Sequence, residues 1–292
     1  MIRLLKYHEI DFEKYSLCIQ NSVQNNFYAQ KEILDFLTEN SWELLVDGDY
    51  EAVMPIPVKR KWLIKFVYMP NFCQQLGVFS KEDSKLKDLQ FLESLNKNYK
   101  IHGYYFNENN NLDSCLGSRK NYVIKATDYA LLRKRYFKGR KSTVKSAQNF
   151  RKEQRHFDKE IKDFISNNFK GLANSDHLKN YLDYLNFLNQ RNQLVIYTAI
   201  NSNNEICNVA LLIDTAKEVL LLGLINKEEF MKQNGASYLI DQLIQKYVAN
   251  KDINMMGGTI RGIEVFFKSF GAGCEEYPFI YKSKIEFIKS FI

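Results

Sequence analysis

The feature that most limits how this chain can fold is a change of hydrophobic period. Residues 218–225 form an apolar run that reads as a strand. After Lys232, Gln233, Asn234, Gly235, Ala236 and Ser237, the apolar positions become Ala236, Leu239, Ile240, Leu243, Ile244, Tyr247 and Val248. That is the uninterrupted i, i+3, i+4 stripe of an amphipathic helix. A strand running into a glycine turn that opens a helix aims several unpaired backbone N–H groups at one point, which suits a pyrophosphate. The candidate ligand is therefore phosphate-bearing.

The chain has 292 residues, long for one hydrophobic core and comfortable for two domains. It is 45% hydrophobic and 26% charged, so both domains can bury cores and disorder is not expected. No apolar stretch approaches the roughly 18 residues that span a bilayer, and the start, Met1 to Lys6, is too short and too charged for a signal peptide. A cytoplasmic location is expected. Cys18, Cys73, Cys115, Cys207 and Cys274 are far apart with no C-x-x-C pair, and are expected to be reduced and mostly buried. The histidines, His8, His102, His156 and His177, show no metal spacing, so no metal site is expected.

Charge is concentrated in one window. Residues 131–155 carry ten Lys or Arg against the single acid Glu153, which gives this window +9 and leaves about −2 for the rest of a chain whose net charge is +7. Such a run is most often a solvated face; it also suits a phosphate backbone or an anionic membrane.

Along the chain, the first forty residues read as helices, followed by an antiparallel meander over 42–46, 50–58 and 62–68 in which Pro55 and Pro57 mark an edge or bulged strand. A polar helix over 81–95 and strands at 101–106 and 122–126 come next. Thr127 and Asp128 suit the cap of a long basic helix with a break at Gly139. In the second half a helix carries Leu178, Tyr181, Leu182, Leu185 and Leu188 on one face. Strands over 194–200, 206–213 and 219–225 follow, then the amphipathic helix, a strand over 253–256, a helix bearing Ile263, Phe266, Phe267 and Phe270, and a last strand over 277–281. Both halves share one order of elements, the mark of a duplicated α/β unit, with residues 1–150 as the N-terminal domain ending in the basic linking helix and 151–292 as the C-terminal domain with the cofactor loop.

In that order, Gln233, Gly235 and Ala236 opening a helix, and Gly258, Thr259, Gly262 and the Phe266 to Ala272 segment, resemble acyl-CoA N-acyltransferases of the GNAT superfamily. They resemble its tandem, FemAB-like branch more closely, and the stretch from Phe72 to Phe79 is similar to part of that branch's N-terminal half. The resemblance covers nearly the whole chain. It implies an α/β fold (α+β layered) of two tandem GNAT-like domains, each a mixed, mostly antiparallel sheet flanked by helices. It also implies acyl-CoA, acetyl or longer, as co-substrate. The pyrophosphate would lie on Lys232, Gln233, Asn234, Gly235, Ala236 and Ser237, and the pantetheine along Leu224, Ile225 and Asn226, where the strand would splay from its neighbour.

The implied chemistry is direct attack of a primary amine on a thioester, with a base or water relay for the amine proton and an acid for the departing thiolate. The acceptor would be a sugar, peptide or cell-envelope precursor. Two family features are replaced here. Phe267 stands where GNAT enzymes carry a tyrosine acid, and Met256, Gly257, Gly258 and Thr259 stand where FemAB-like relatives often read Phe-Glu-Gly-Ser. Glu264, Tyr238 and Tyr277 are the substitute candidates for proton transfer, and Arg261 and Lys268 for holding an acidic group of the substrate. Two alternatives stay open: an aminoacyl-tRNA-dependent transferase that holds tRNA along the segment from Arg133 to Arg155, and a catalytically silent protein of the same fold that binds a ligand or nucleic acid.

Overall fold

A computed structural model describes residues 2–61, 64–112, 116–147, 149–171 and 174–289. The chain divides into two units, residues 1–119 with 276–292, and residues 120–275.

The first unit contains β1 (Arg3–Leu5), α1 (Phe12–Asn21), α2 (Lys31–Thr38), β2 (Trp42–Asp47), β3 (Ala52–Lys61), β4 (Ile64–Val67), β5 (Phe79–Ser80), α3 (Lys85–Asn98), β6 (Lys100–Ile101) and β7 (Gly103–Tyr105). Its sheet runs β1-β2-β3-β4-β6, with β5 on β3. The first three pairings are antiparallel and β4–β6 is parallel. Asp11 starts α1 by accepting from the N–H groups of Glu13 and Lys14, both at 3.1 Å. The helices bury Tyr15, Ile19, Ile33 and Leu34 beside Trp42 and Leu44 of the sheet.

The second unit begins inside β8 (Gly117–Ile124) and continues through α4 (Tyr129–Arg135), α5 (Lys138–Ser146), β9 (Arg151–Arg155), α6 (Lys159–Asn168), α7 (Ser175–Gln190), β10 (Leu194–Ile200), β11 (Ile206–Asp214), β12 (Glu218–Asn226), α8 (Gly235–Tyr247), β13 (Asp252–Asn254) and α9 (Arg261–Lys268) into β14 (Gly273–Tyr281). The chain closes with α10 (Lys284–Lys289) in the first unit. The order in the second sheet is β8-β13-β12-β11-β10-β9. Here too the meander is antiparallel and the strand after the amphipathic helix, β13, is parallel to β12. Each unit thus has an opening strand, two helices, a three-strand antiparallel meander, a helix and a parallel strand. The apolar stripe of α8 is buried as its spacing requires, with Leu239, Ile240, Leu243, Ile244 and Val248 packed with Tyr197, Ala210 and Leu212 of the sheet.

Three sequence expectations change. Residues 120–150, assigned by sequence to the first half, pack into the second unit, because Tyr122, Leu132, Tyr136, Val144 and Phe150 all enter its core cluster. The basic segment is two short helices and an edge strand rather than one long helix broken at Gly139. Asp128 caps α4 as expected, but the helix ends where Tyr136 turns inward against Phe270, with ring centroids 5.3 Å apart, and where the Phe137 N–H donates to Ser269 O. The first forty residues include the strand β1 besides their helices. Cys18, Cys73 and Cys207 are buried and unpaired, while Cys274 is exposed. Cys115 and the first two residues of the 62–68 strand, Trp62 and Leu63, lie outside the described residues.

Candidate functional site

The candidate site lies where β12 parts from β13 while staying paired with β11. Leu211 pairs with Gly223 and Leu212 with Leu221, so Leu222 is an extra residue and β12 carries a bulge there. On its other edge β12 pairs with β13 only from Glu218 to Leu220. From Leu221 onward the two strands part, and among the described residues no strand pairs with that edge. Tyr181 of α7 donates to Leu222 O at 3.3 Å. Leu224 lies partly buried against the core, Ile225 is fully buried, and Asn226 Oδ1 accepts from Asn208 Nδ2 at 2.7 Å. These three residues continue the edge toward the turn.

The turn is a short 3₁₀ segment, Glu228–Gln233, on which Lys232 and Gln233 are exposed. Asn234 then adopts a left-handed conformation at φ 64°, and its carbonyl accepts from the N–H groups of Ser237 and Tyr238 to start α8. Gly235 is buried. A Cβ at this position would stand 2.0 Å from Asn208 Oδ1 and 3.1 Å from the Phe150 ring, so glycine is required by close approach. Ala236 is half-buried and Ser237 buried.

Arg140 joins this turn to α9. It donates through one arm to Ser237 Oγ and through Nε to Ser269 Oγ at 2.8 Å. Its guanidinium lies 4.5 and 4.7 Å from the ring centroids of Phe266 and Phe270. Its remaining side-chain partner is Thr143 Oγ1 at 3.4 Å, and no carboxylate pairs with it among the described residues. Burial lowers its pKa below the ordinary guanidinium value. A half-buried cation whose hydrogen bonds go to hydroxyls, with no carboxylate partner among the described residues, keeps its charge available to an anion.

A cleft of about 500 Å³ lies among α4, α5 and α8, lined by Tyr129, Arg133, Lys141, Lys145, Tyr238 and Asp241 among others. Asp241 is buried and engaged: Arg133 donates to it at 3.0 Å, and so does the Tyr129 hydroxyl. Its charge is thereby spent, and Lys141 and Lys145 leave the cleft positive. Tyr238 is half-buried, and burial raises its phenol above the ordinary value, so it keeps its proton at neutral pH.

The other sequence candidates fall elsewhere. Glu264 Oε1 accepts from Lys268 Nζ at 2.6 Å, from Tyr122 Oη at 2.8 Å and from Lys120 Nζ at 3.4 Å. These bonds, first of all those of Lys268 and Tyr122, pull its pKa down to about 2. A carboxylate that acidic is a weak general base, and Lys268 is neutralised by it. Gly258, at φ 144°, backs onto the Tyr122 ring, where a Cβ would meet it at 2.2 Å, so the glycine supports the hydroxyl that holds Glu264. Arg261 is exposed at the start of α9. Phe267 is a core residue. Tyr277 belongs to the first unit, is only 4% exposed, and has its phenol pKa raised by burial.

The bonds on Glu264 set a pH dependence. Its folded pKa lies below its unfolded value, so the stability it contributes is full above about pH 4.5 and is lost as pH falls toward 2. Thermal melts of Glu264→Gln and the parent protein are expected to converge across that window and to differ above it.

Sequence reading placed Ser237 and Tyr238 at the site but did not single out Arg140, Tyr129 or Asp241. One signal was present: Asp241 is an acid amid the apolar stripe of α8, and a buried acid requires a cationic or hydroxyl partner. No group of His, Cys, Asp and Glu able to hold a metal occurs among the described residues.

No protein-family model matches the sequence, and no curated protein matches it. Solved structures do match in fold. FemX superposes with a TM-score of 0.66 at 11% identity, covering 92% of this chain and 95% of its own. L-PGS from Bacillus licheniformis gives 0.54 at 13%, covering 95% and 93%. A tandem GNAT protein from the clavulanic acid biosynthesis pathway gives 0.52 at 6%, covering 96% and 97%. The bulged and splayed β12, the helix that follows it and the repeat of this order in both units agree with these matches: the chain has the FemAB-like fold of two GNAT-like units in tandem.

Proposed function

We propose that this protein is an N-acyltransferase that moves an acyl group from acyl-CoA to a primary amine, with its donor site in the second unit. The observation that carries the reading is the parting of β12 from β13 after Leu220, ahead of a helix whose first turn is met by a cation with no acid partner among the described residues. An extended chain of amides has a strand edge to pair with along Leu221 to Asn226. A pyrophosphate has the N–H groups of the α8 head, from Asn234 to Ala236, together with Arg140.

In this reading the amine nitrogen attacks the thioester carbon, a C–N bond forms, and the C–S bond breaks. Tyr238, protonated at neutral pH, supplies the proton to the departing thiolate, and the amine proton leaves to water. Placement of the two reactants contributes most of the rate. The acceptor class, a sugar, peptide or cell-envelope precursor amine, rests on resemblance.

A second reading, aminoacyl transfer from tRNA, is favoured by one observation. Lys141 and Lys145 in the cleft adjoin the exposed Lys134, Arg135 and Lys138 of α4 and α5, a surface suited to a phosphodiester chain.

Melting temperature measured with saturating coenzyme A, acetyl-CoA and longer acyl-CoAs separates the two. A rise of a few degrees with a CoA species is expected. No shift with any thioester, together with tRNA binding that weakens steeply with salt, would replace the first reading by the second.

A further inference from the structure

The outer face of α10 is arranged the wrong way round for a helix that only packs on its own protein. Phe287 faces inward, its ring 5.1 Å from both Phe66 and His102. At about 100° per residue, Ile285 and Ile288 lie side by side on a different face, with Lys284 and Lys289 flanking them. Both isoleucines are out in solvent, 68% and 62% exposed, and no residue of the helix is buried.

The sheet face beneath α10 continues this pattern. Phe66 is the contact to the helix, and β4 alternation places Ile64 on the same face. The antiparallel register pairs Lys59 with Phe66 and Lys61 with Ile64, so both lysines stand on that face too. Lys59 and Lys61 are exposed, Ile64 is 42% exposed, and Tyr281 before the helix is 55% exposed. Lys282, Lys284 and Lys289 bring the cations to five. The acid of α10, Glu286, accepts from the Ser283 N–H and is held below the ordinary carboxylate range by its bonds to Ser283.

We propose that this face, α10 with the β3–β4 edge, docks on the surface of an anionic phospholipid bilayer. Two adjacent isoleucines enter the headgroup boundary, Tyr281 sits at its polar level, and the lysines extend over the phosphates with their stems along the apolar patch. The choice of lipid follows from the charge. An apolar pair flanked by Lys284 and Lys289, beside a sheet face that carries Lys59 and Lys61, repels a second copy of itself and complements a dense anionic surface. The proposal is independent of the acyl donor, since no residue of the transferase site contributes to it.

The test is co-sedimentation of the whole chain with vesicles of phosphatidylcholine alone and of phosphatidylcholine with 30–40% phosphatidylglycerol, on the order of the anionic content that attracts polybasic surfaces. Binding to the anionic vesicles is expected, weakening with salt. The pair Ile285→Glu with Ile288→Glu is expected to lower it by roughly tenfold or more while the melting temperature is unchanged, because both side chains are exposed. Should that variant melt early, Lys284→Glu with Lys289→Glu leaves the apolar face intact and is expected to abolish the preference for anionic lipid. Absence of binding to anionic vesicles, binding that neither variant weakens, or light scattering that shows the isoleucine pair holding two copies together would each overturn the proposal.

Discussion

Replacing Arg140 with glutamine is expected to weaken binding of the phosphate-bearing donor by roughly 10- to 100-fold, with the fold intact. The guanidinium stands between Ser237 at the head of α8 and Ser269 at the end of α9, and no acid neutralises it among the described residues. Charge-assisted hydrogen bonds to an anion contribute about 1.5–3 kcal/mol, which sets the range. The same isolation limits the damage to stability. Removing a half-buried charge with no counter-ion among the described residues relieves desolvation while losing three hydroxyl bonds, that to Thr143 long, and the stacking on Phe266 and Phe270, so a net change within about 1 kcal/mol is expected. Titration of coenzyme A against both proteins, followed by calorimetry or by melting temperature, checks this. Equal affinity for the variant would remove Arg140 from the donor site, and early melting would make it a structural residue.

Enlarging Gly235 is expected to act in the opposite sense, on the fold before the site. A Cβ there collides with Asn208 Oδ1, and Asn208 is buried and tied to Asn226, so neither the amide nor the neighbouring Phe150 ring has room to withdraw. Overpacking of this kind costs about 1–3 kcal/mol, and Gly235→Val sits at the upper end. For a unit of this size the melting temperature should fall by roughly 5–10 °C. Loss of donor binding in that variant would therefore follow from displacement of the α8 head, and Arg140 is the cleaner probe of the same place. A Gly235→Val protein that melts with the parent would show that the turn is looser than its packing implies.

The legible parts of this protein are those in which one residue's neighbours along the chain already decide its state. The period of α8, the apolar run of β12, the hairpin around Asn201 to Asn204 and the Asp128 cap are local patterns, and the structure has each of them. The repeat of element order in the two units was readable for the same reason. The basic segment was not. Charge marked it as one solvated helix, yet Tyr136 and Phe137 leave the helix because Phe270 and Ser269, more than a hundred residues away, offer them a ring contact and a carbonyl. Arg151 to Arg155 has no apolar alternation and becomes a strand only because the edge of β10 supplies its hydrogen bonds.

The site divides along the same line. Local sequence determined the glycine turn and the helix it opens, since these depend on backbone geometry over a few consecutive residues. Tertiary structure alone decided which side chains stand around that turn. It brought Arg140 from the basic segment to Ser237, consumed Glu264 in bonds to Lys268, Tyr122 and Lys120, and buried Tyr277 in the other unit. A side chain's charge state and reach depend on what folds against it from far along the chain, and no spacing rule carries that information.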